Sequence, residues 1–308
     1  MTITEALKLY QLSRVGRVAA RTLQWDEQKL RPLAEFFTAE RPVETITLED
    51  LWRWRAWLVR RDTRYGDHPT KPEVKGGLSG YTLRGHIQAV KQFFRWATRR
   101  GYIPGDPAEG LKMPARPDVE PKAVAREDLW SLLQAARESG PREYAIVLFL
   151  ADTGCRAGGL VSLTLSSLDL PRGVATVKEK GRGGGKRRRV HLLKATVEAL
   201  RAWLNERPAF KTDRVFLGRK GPLTPSGLYQ ILERLAQRAG IEGRFNPHAF
   251  RHGFARGLLE NGADLGTVSQ LLGHSSIEVT HDFYARWKPS ELAERHKRFN
   301  WLNGAEEK

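Results

Sequence analysis

Cysteine is nearly absent. Cys155 is the single one in 308 residues, so no intramolecular disulfide can form and a reducing compartment is the natural setting. Long apolar runs are missing as well: none approaches the roughly 18 residues that span a bilayer. The start, Met1-Thr-Ile-Thr-Glu-Ala, has neither the charged n-region nor the small-residue cleavage site of a signal peptide. These absences argue against a membrane partner or a secreted, disulfide-stapled fold. Acidic side chains are outnumbered, 35 against 52 Lys and Arg, which leaves a formal charge of +17. An excess of that size favours a polyanion partner, with binding that weakens steeply as salt rises. A merely solubilising basic surface is the bland alternative.

The remaining composition is that of a folded chain, apolar residues making up 40% and aromatics 9%. Three hundred residues are enough for two domains with a core each. The pattern predicts a mainly α protein with a small antiparallel β-sheet, and no internal repeat. Residues 1–105 read as a helical domain without a convincing strand. Leu30, Leu33, Phe36 and Phe37 give an apolar face at helical spacing. Thr47-Leu-Glu-Asp50 resembles a capping box opening a helix with Leu51, Trp54 and Leu58 inward. Asp62 to Gly77 reads as an exposed loop. Ser79 then caps a helix that runs to about Arg100, with Leu83, Ile87, Val90 and Phe94 as its buried stripe. Arg84, Gln88, Lys91, Arg95 and Arg99 form a second stripe on that helix, suited to tracking a phosphate backbone.

Residues 106–124, rich in proline and charge, read as an interdomain linker, and 125–308 as the second domain with a tail helix. Tyr144 to Leu150 is apolar all round and predicts a core helix. Val174–Val177 and Arg188–Leu192 alternate as strands around the glycine-rich tip Gly181-Arg-Gly-Gly-Gly-Lys186. That tip is no phosphate-cradling P-loop: its glycine spacing is wrong and no Lys-Ser/Thr or helix follows. Lys186, Arg187 and Arg188 beside it are expected to bind DNA. A last helix, from about Ser290 to Trp301, carries Leu292 toward the terminal pair Trp301-Leu302. It would dock either on a neighbouring copy of the chain or on its own domain.

The chemistry is concentrated between Asn246 and Trp287. His248 and Arg251 are three residues apart, so on a helix both leave by one face. Gly273-His274-Ser275 closes the next apolar run, and Tyr284 follows ten residues after His274. A permanently charged fork, two imidazoles and a phenol can hold a phosphodiester while the phenol oxygen attacks phosphorus. His248 and His252 also have the i, i+4 spacing of metal ligands. Ala249 stands where a zinc protease needs its glutamate, however, and no cysteine or acidic cluster completes a shell. No metal or other cofactor is expected.

His248-x-x-Arg251, Leu-Gly-His274 and Tyr284 resemble the C-terminal signature of the tyrosine recombinase (phage integrase) family. Upstream, Thr153-Gly154-Cys155-Arg156 looks like the family's Thr-Gly-x-Arg, and Lys180-Gly181 like its hairpin Lys-Gly. The resemblance implies a helical core-binding domain followed by a catalytic domain of the recombinase type. It implies a catalytic set of Arg156, Lys180, His248, Arg251, His274 and Tyr284, with Lys180 as general acid and Tyr284 as nucleophile. It further implies a site-specific DNA recombinase that works through a 3'-phosphotyrosyl intermediate. The partners would be double-stranded DNA with inverted-repeat sites and three more copies of the chain, in the cytoplasm with the nucleoid. Accessory DNA-bending proteins fit the same picture. A type IB topoisomerase-like strand relaxation and a binding-only regulator are the alternatives. One departure stands out: the family usually reads Arg-x-x-Glu-Leu, and here Gly159 replaces the glutamate. A change of Gly159 to Glu is therefore expected to help.

Overall fold

A computed structural model describes the chain except residues 62, 65–73, 118–122, 180–185, 243–244, 275–276, 285–288 and 300–308; at 63–64, 179, 279, 282–284, 290–291 and 299 it describes backbone alone. The chain divides into two compact units, Met1–Val119 and Glu120–Lys308. Both are mainly helical, and the small sheets are antiparallel. Among the described residues no helix is long and apolar enough to cross a membrane.

Among the described residues the first unit is built on four α-helices: α1 (Ile3–Arg14), α2 (Ala20–Phe36), α3 (Leu48–Arg60) and α4 (Gly80–Arg99). Reciprocal capping boxes open two of them, Thr2 with Glu5 and Thr47 with Asp50, and Ser79 caps α4. Each gives an otherwise orphaned N–H of the first turn a partner. The core gathers Tyr10, Leu33, Trp54, Ile87, Val90, Phe93 and Phe94, and Trp54 Nε1 donates to the Pro32 carbonyl at 3.2 Å. Leu83 is only partly buried. The loop predicted from 62 to 77 contains a two-residue strand pair, β1 (Thr63–Arg64) with β2 (Val74–Lys75). Most of the rest of that loop lies outside the described residues.

The linker expected at 106–124 is largely not one. Ala108 and Leu111 are buried in the first core. Lys91 Nζ donates to the carbonyls of Ala108, Glu109 and Leu111 at 2.6, 2.9 and 2.9 Å. Arg84 donates to the Pro114 carbonyl, and Tyr81 Oη to that of Pro117 at 3.3 Å. Prolines there mark a chain without helix or sheet bonds of its own. Its carbonyls still need donors, and α4 supplies them. At the far end Val124 belongs to the second core, its N–H donating to Ala249 O at 3.1 Å.

In the second unit α5 (Arg126–Ser139) and α6 (Pro141–Thr153) precede a short α7 (Ala157–Val161). A three-stranded sheet follows in the order β3 (Leu168–Asp169), β4 (Val174–Glu179), β5 (Lys186–His191). Its hairpin register pairs Val177 with Arg188 and Glu179 with Lys186. Next come α8 (Lys194–Glu206), the pair β6 (Leu217–Gly218) and β7 (Gly221–Pro222), and α9 (Pro225–Arg238). The chain then forms α10 (Pro247–Glu260), α11 (Leu265–Leu272), α12 (Ile277–Tyr284) and α13 (Pro289–Phe299). As its all-apolar sequence predicts, α6 is the central helix, with Ala145, Ile146, Val147, Phe149 and Leu150 wholly buried. Arg295 and Arg298 of α13 donate to the carbonyls of Leu259 and Glu260 at 3.1 and 3.2 Å. Two cations thus sit at the C-terminal end of α10, where the helix dipole favours them.

Candidate active site

Two helix ends and one helix start converge here. Helix α6 stops at Gly154, which adopts φ +55° and closes the last turn through its N–H to Leu150 O at 3.0 Å. Any side chain there would collide with Phe254, a Cβ falling 2.6 Å from its Cδ1, so glycine is required by both backbone and packing. Cys155 is buried, and Arg156, half-buried, occupies the N-cap position of α7. Helix α11 ends alike, on Gly273 at φ +66°. His274 N donates to Ser269 O at 3.0 Å, and its Nδ1 lies 2.8 Å from Oγ1 of the buried Thr280 on α12. That contact fixes the ring plane.

Helix α10 starts at Asn246, whose Oδ1 accepts from the N–H groups of His248 and Ala249 at 2.9 and 3.1 Å. Pro247 at the first helical position has no N–H to satisfy. The cap sets the phase of the helix, placing His248 in its first turn and Arg251 one turn later on the same side. Arg251 is only 3% exposed. Its Nη1 donates to Gly154 O at 2.9 Å and its Nη2 to Leu272 O at 2.7 Å. One guanidinium therefore ties together the turn before Arg156 and the turn before His274.

His248 is exposed overall, but its imidazole is held below the ordinary value by desolvation, then by the charges of Arg156 and Arg251. All three lie within electrostatic reach of one another. His252 is pushed down to about 4, mainly by burial and further by His248 and Arg251. It faces inward, as a structural histidine would. The structure thus brings Arg156, His248 and Arg251 within reach of one another and ties the turn before His274 to Arg251. Tyr284 is the last residue of α12, the helix that carries Thr280; its side chain lies outside the described residues. Lys180 lies outside them altogether, directly after β4.

The expected DNA-binding residues divide. Gln88, Arg95 and Arg99 are exposed on α4, whereas Arg84 and Lys91 bond to carbonyls of residues 108–114. A lysine with three N–H donors on three carbonyls is a structural clamp rather than a phosphate tracker. On β5, Lys186 and Arg187 are exposed, but Arg188 is turned inward and donates to the carbonyl of Leu271. Its inward position was legible: Arg188 and Val190 are two apart on a strand, and Val190 is plainly a core residue. Asn246 and Thr280 were also missed as site-organising residues. An Asn-Pro step before a helical pattern signals such a cap, whereas nothing in the sequence marked Thr280.

Gly159 bears on the expectation that a glutamate there would help. It is buried, and a Cβ there would meet Lys178 O of β4 at 3.3 Å. A side chain at 159 requires β4 to give by a few tenths of an ångström, which any gain from a glutamate has to offset.

Residues 122–291 match the model of the phage integrase family. Tyrosine recombinase XerD of Listeria monocytogenes (serotype 4b, strain F2365) is 34% identical over 73% of this chain and 77% of its own length. Tyrosine recombinase XerC of Alcanivorax borkumensis is 30% identical over 80% of this chain and 78% of its own. A solved structure of the Tn1549 transposon integrase in complex with a circular intermediate DNA has the same fold, with TM-score 0.76 at 20% identity, covering 97% of this chain and 99% of that one. The chain belongs to the phage integrase family of tyrosine recombinases, enzymes of site-specific DNA recombination.

Proposed function

We propose that the six residues act together on one phosphodiester of DNA. Arg156 and Arg251 grip its non-bridging oxygens, and His274 donates a further hydrogen bond. The Tyr284 oxygen attacks phosphorus: the Oη–P bond forms and the P–O5' bond breaks. His248, kept neutral near pH 7, accepts the phenolic proton, and Lys180 gives a proton to the departing 5'-oxygen. The product is a 3'-phosphotyrosyl link and a free 5'-hydroxyl. The 5'-hydroxyl of a partner strand then reverses the step, so bond energy is retained and neither ATP nor a metal enters the balance. On this reading four copies assemble on two duplexes with inverted-repeat sites, in the cytoplasm.

The observation that supports the reading is the Arg251 bracket, which joins the Gly154 and Leu272 turns, each two residues before Arg156 and His274, with His248 within electrostatic reach of both arginines. The test uses a nicked suicide duplex bearing the sequence that the full-length protein enriches from a random duplex pool. The wild type should give a covalent protein–DNA band on a denaturing gel, insensitive to chelator. Tyr284→Phe should bind the duplex equally and give no band. A band that survives in Tyr284→Phe would remove the nucleophile assignment.

A further inference from the structure

Arg188 stands apart from the other cations of the hairpin. Val177 and Val190 are buried while Arg187 and Arg189 are exposed, so alternation puts Arg188 on the inward face. From there its guanidinium reaches two helix ends. Nη1 donates to the Leu271 carbonyl, and Nη2 to that of Thr153 at 3.5 Å. Its aliphatic stem crosses Gly273, where a Cβ would fall 2.8 Å from Arg188 Cδ. These are the same two turns that Arg251 joins at Gly154 and Leu272. Two arginines, one from α10 and one from the sheet, bracket a single pair of helix ends.

Their tasks differ. Arg251 ties the turns to each other and can do so without Arg188. Arg188 ties the hairpin to the turns. On the other strand, Gly159 lets β4 come close to α7, within 3.3 Å of where a Cβ would stand at Lys178 O. Lys180 follows two residues later. The base of the hairpin is therefore fixed on both strands, next to the turns that precede Arg156 and His274.

We propose that Arg188 is a positioning residue: by docking the β4–β5 hairpin onto the Thr153 and Leu271 turns, it sets where Lys180 delivers its proton. The inference rests on Lys180 being the general acid, as above. It also differs from the DNA-contact role that the sequence suggested for Arg188. A phosphate contact would leave the guanidinium toward solvent, whereas here its bonds run to backbone carbonyls. Lysine is a poor replacement at this position, because a single nitrogen would have to serve two carbonyls that two different nitrogens of the Arg188 fork, Nη1 and Nη2, reach.

The experiment compares the wild type, Arg188→Ala, Arg188→Lys and Lys186→Ala as full-length proteins on the selected suicide duplex. The duplex is made with either oxygen or sulfur as the bridging atom at the mapped cleavage position. Binding constants and single-turnover cleavage rates at saturating DNA are measured separately, with melting temperatures alongside. Arg188→Ala and Arg188→Lys should both cleave the oxygen substrate roughly 10- to 100-fold more slowly, part of what a positioned general acid contributes, with affinity changed less than about threefold. Sulfur needs no proton to leave, so both should return to within about threefold of wild type on that substrate. Lys186→Ala should lose affinity instead. If Arg188→Ala does not fold, Arg188→Lys alone carries the comparison. Weakened binding at a normal saturating rate, or a rate defect that sulfur leaves in place, overturns the proposal. A wild type that forms no adduct would fail the nucleophile reading itself; a normal wild type beside a normal Arg188→Ala would fail this inference alone.

Discussion

Each unit of the molecule holds an arginine against buried surroundings, and the two do so with different chemistry. In the first, Arg14 Nε lies 3.0 Å from Asp26 Oδ2, and Asp26 is 1% exposed. Arg14 also donates to the Tyr10 hydroxyl at 2.9 Å, and burial, helped by Asp26, pushes that phenol up to about 12. In the second, Arg251 donates to the carbonyls of Gly154 and Leu272. A carboxylate neutralises a guanidinium, while a carbonyl dipole orients it and leaves its charge in place. Burial alone would class the two arginines together. On the proposed function, Arg14 completes a core and Arg251, oriented by carbonyls, serves the phosphate.

Paired substitutions break or keep this contrast. Arg251→Lys retains the charge but loses the fork, so cleavage at saturating DNA should fall roughly 10²- to 10³-fold, the scale of one lost transition-state donor. Arg14→Met leaves the Asp26 carboxylate buried without its partner. It should cost about 2–3 kcal/mol in urea unfolding, less than a wholly buried pair because a quarter of the Arg14 side chain is exposed. Its folded fraction should cleave at the wild-type rate. An Arg14→Met protein that is stable yet slow would collapse the distinction.

The histidines sharpen the comparison through pH. His86 is 6% exposed in the first unit, with Nδ1 2.9 Å from Lys29 O, and burial foremost holds its pKa down at about 4. Its folded pKa is below its unfolded value near 6.5, so the neutral form is the one the fold prefers. The stability it contributes is present above about pH 6.5 and is lost as pH falls through about 4, up to roughly 3 kcal/mol for that difference. His252 in the second unit moves the same way. His86→Gln should therefore flatten, without abolishing, the loss of urea stability between pH 7 and pH 4. An unchanged slope would mean that His86 charges without cost.

The smallest effect concerns two adjacent glycines. Gly158 is exposed with nothing within 4 Å of a Cβ, whereas Gly159 faces Lys178 O at 3.3 Å. Gly158→Ala should stabilise by roughly 1 kcal/mol through helix propensity, and Gly159→Ala should show no such gain. Thermal melts of the two variants side by side decide it, and equal gains would mean that β4 yields freely.

What the sequence made legible follows the range over which each signal acts. Capping boxes at Thr2 and Thr47, the apolar α6 and the His248–Arg251 spacing are local, and were readable or nearly so. The stripe on α4 was read as one surface because helical periodicity says which residues share a face, not what lies against it. The carbonyls of residues 108–114 that take up Arg84 and Lys91 belong to a segment without periodicity of its own. Arg188 differs: its alternation with Val190 is legible in the sequence, and the basic run beside a glycine-rich tip draws attention to charge instead. Gly159 looked like a loss beside the family pattern, and became a packing choice once β4 was placed above it.

On the proposed function, one tyrosine at the end of α12 takes up the DNA strand. Trypsin digestion of the trapped adduct, nuclease trimming and mass spectrometry locate the nucleotide-bearing residue directly. The sequence has seven tyrosines, and the tryptic peptide 257–286 contains Tyr284 alone. The modification is expected on that peptide, at Tyr284, and nowhere else. A nucleotide found on any other tyrosine, or on a serine or histidine, would contradict it.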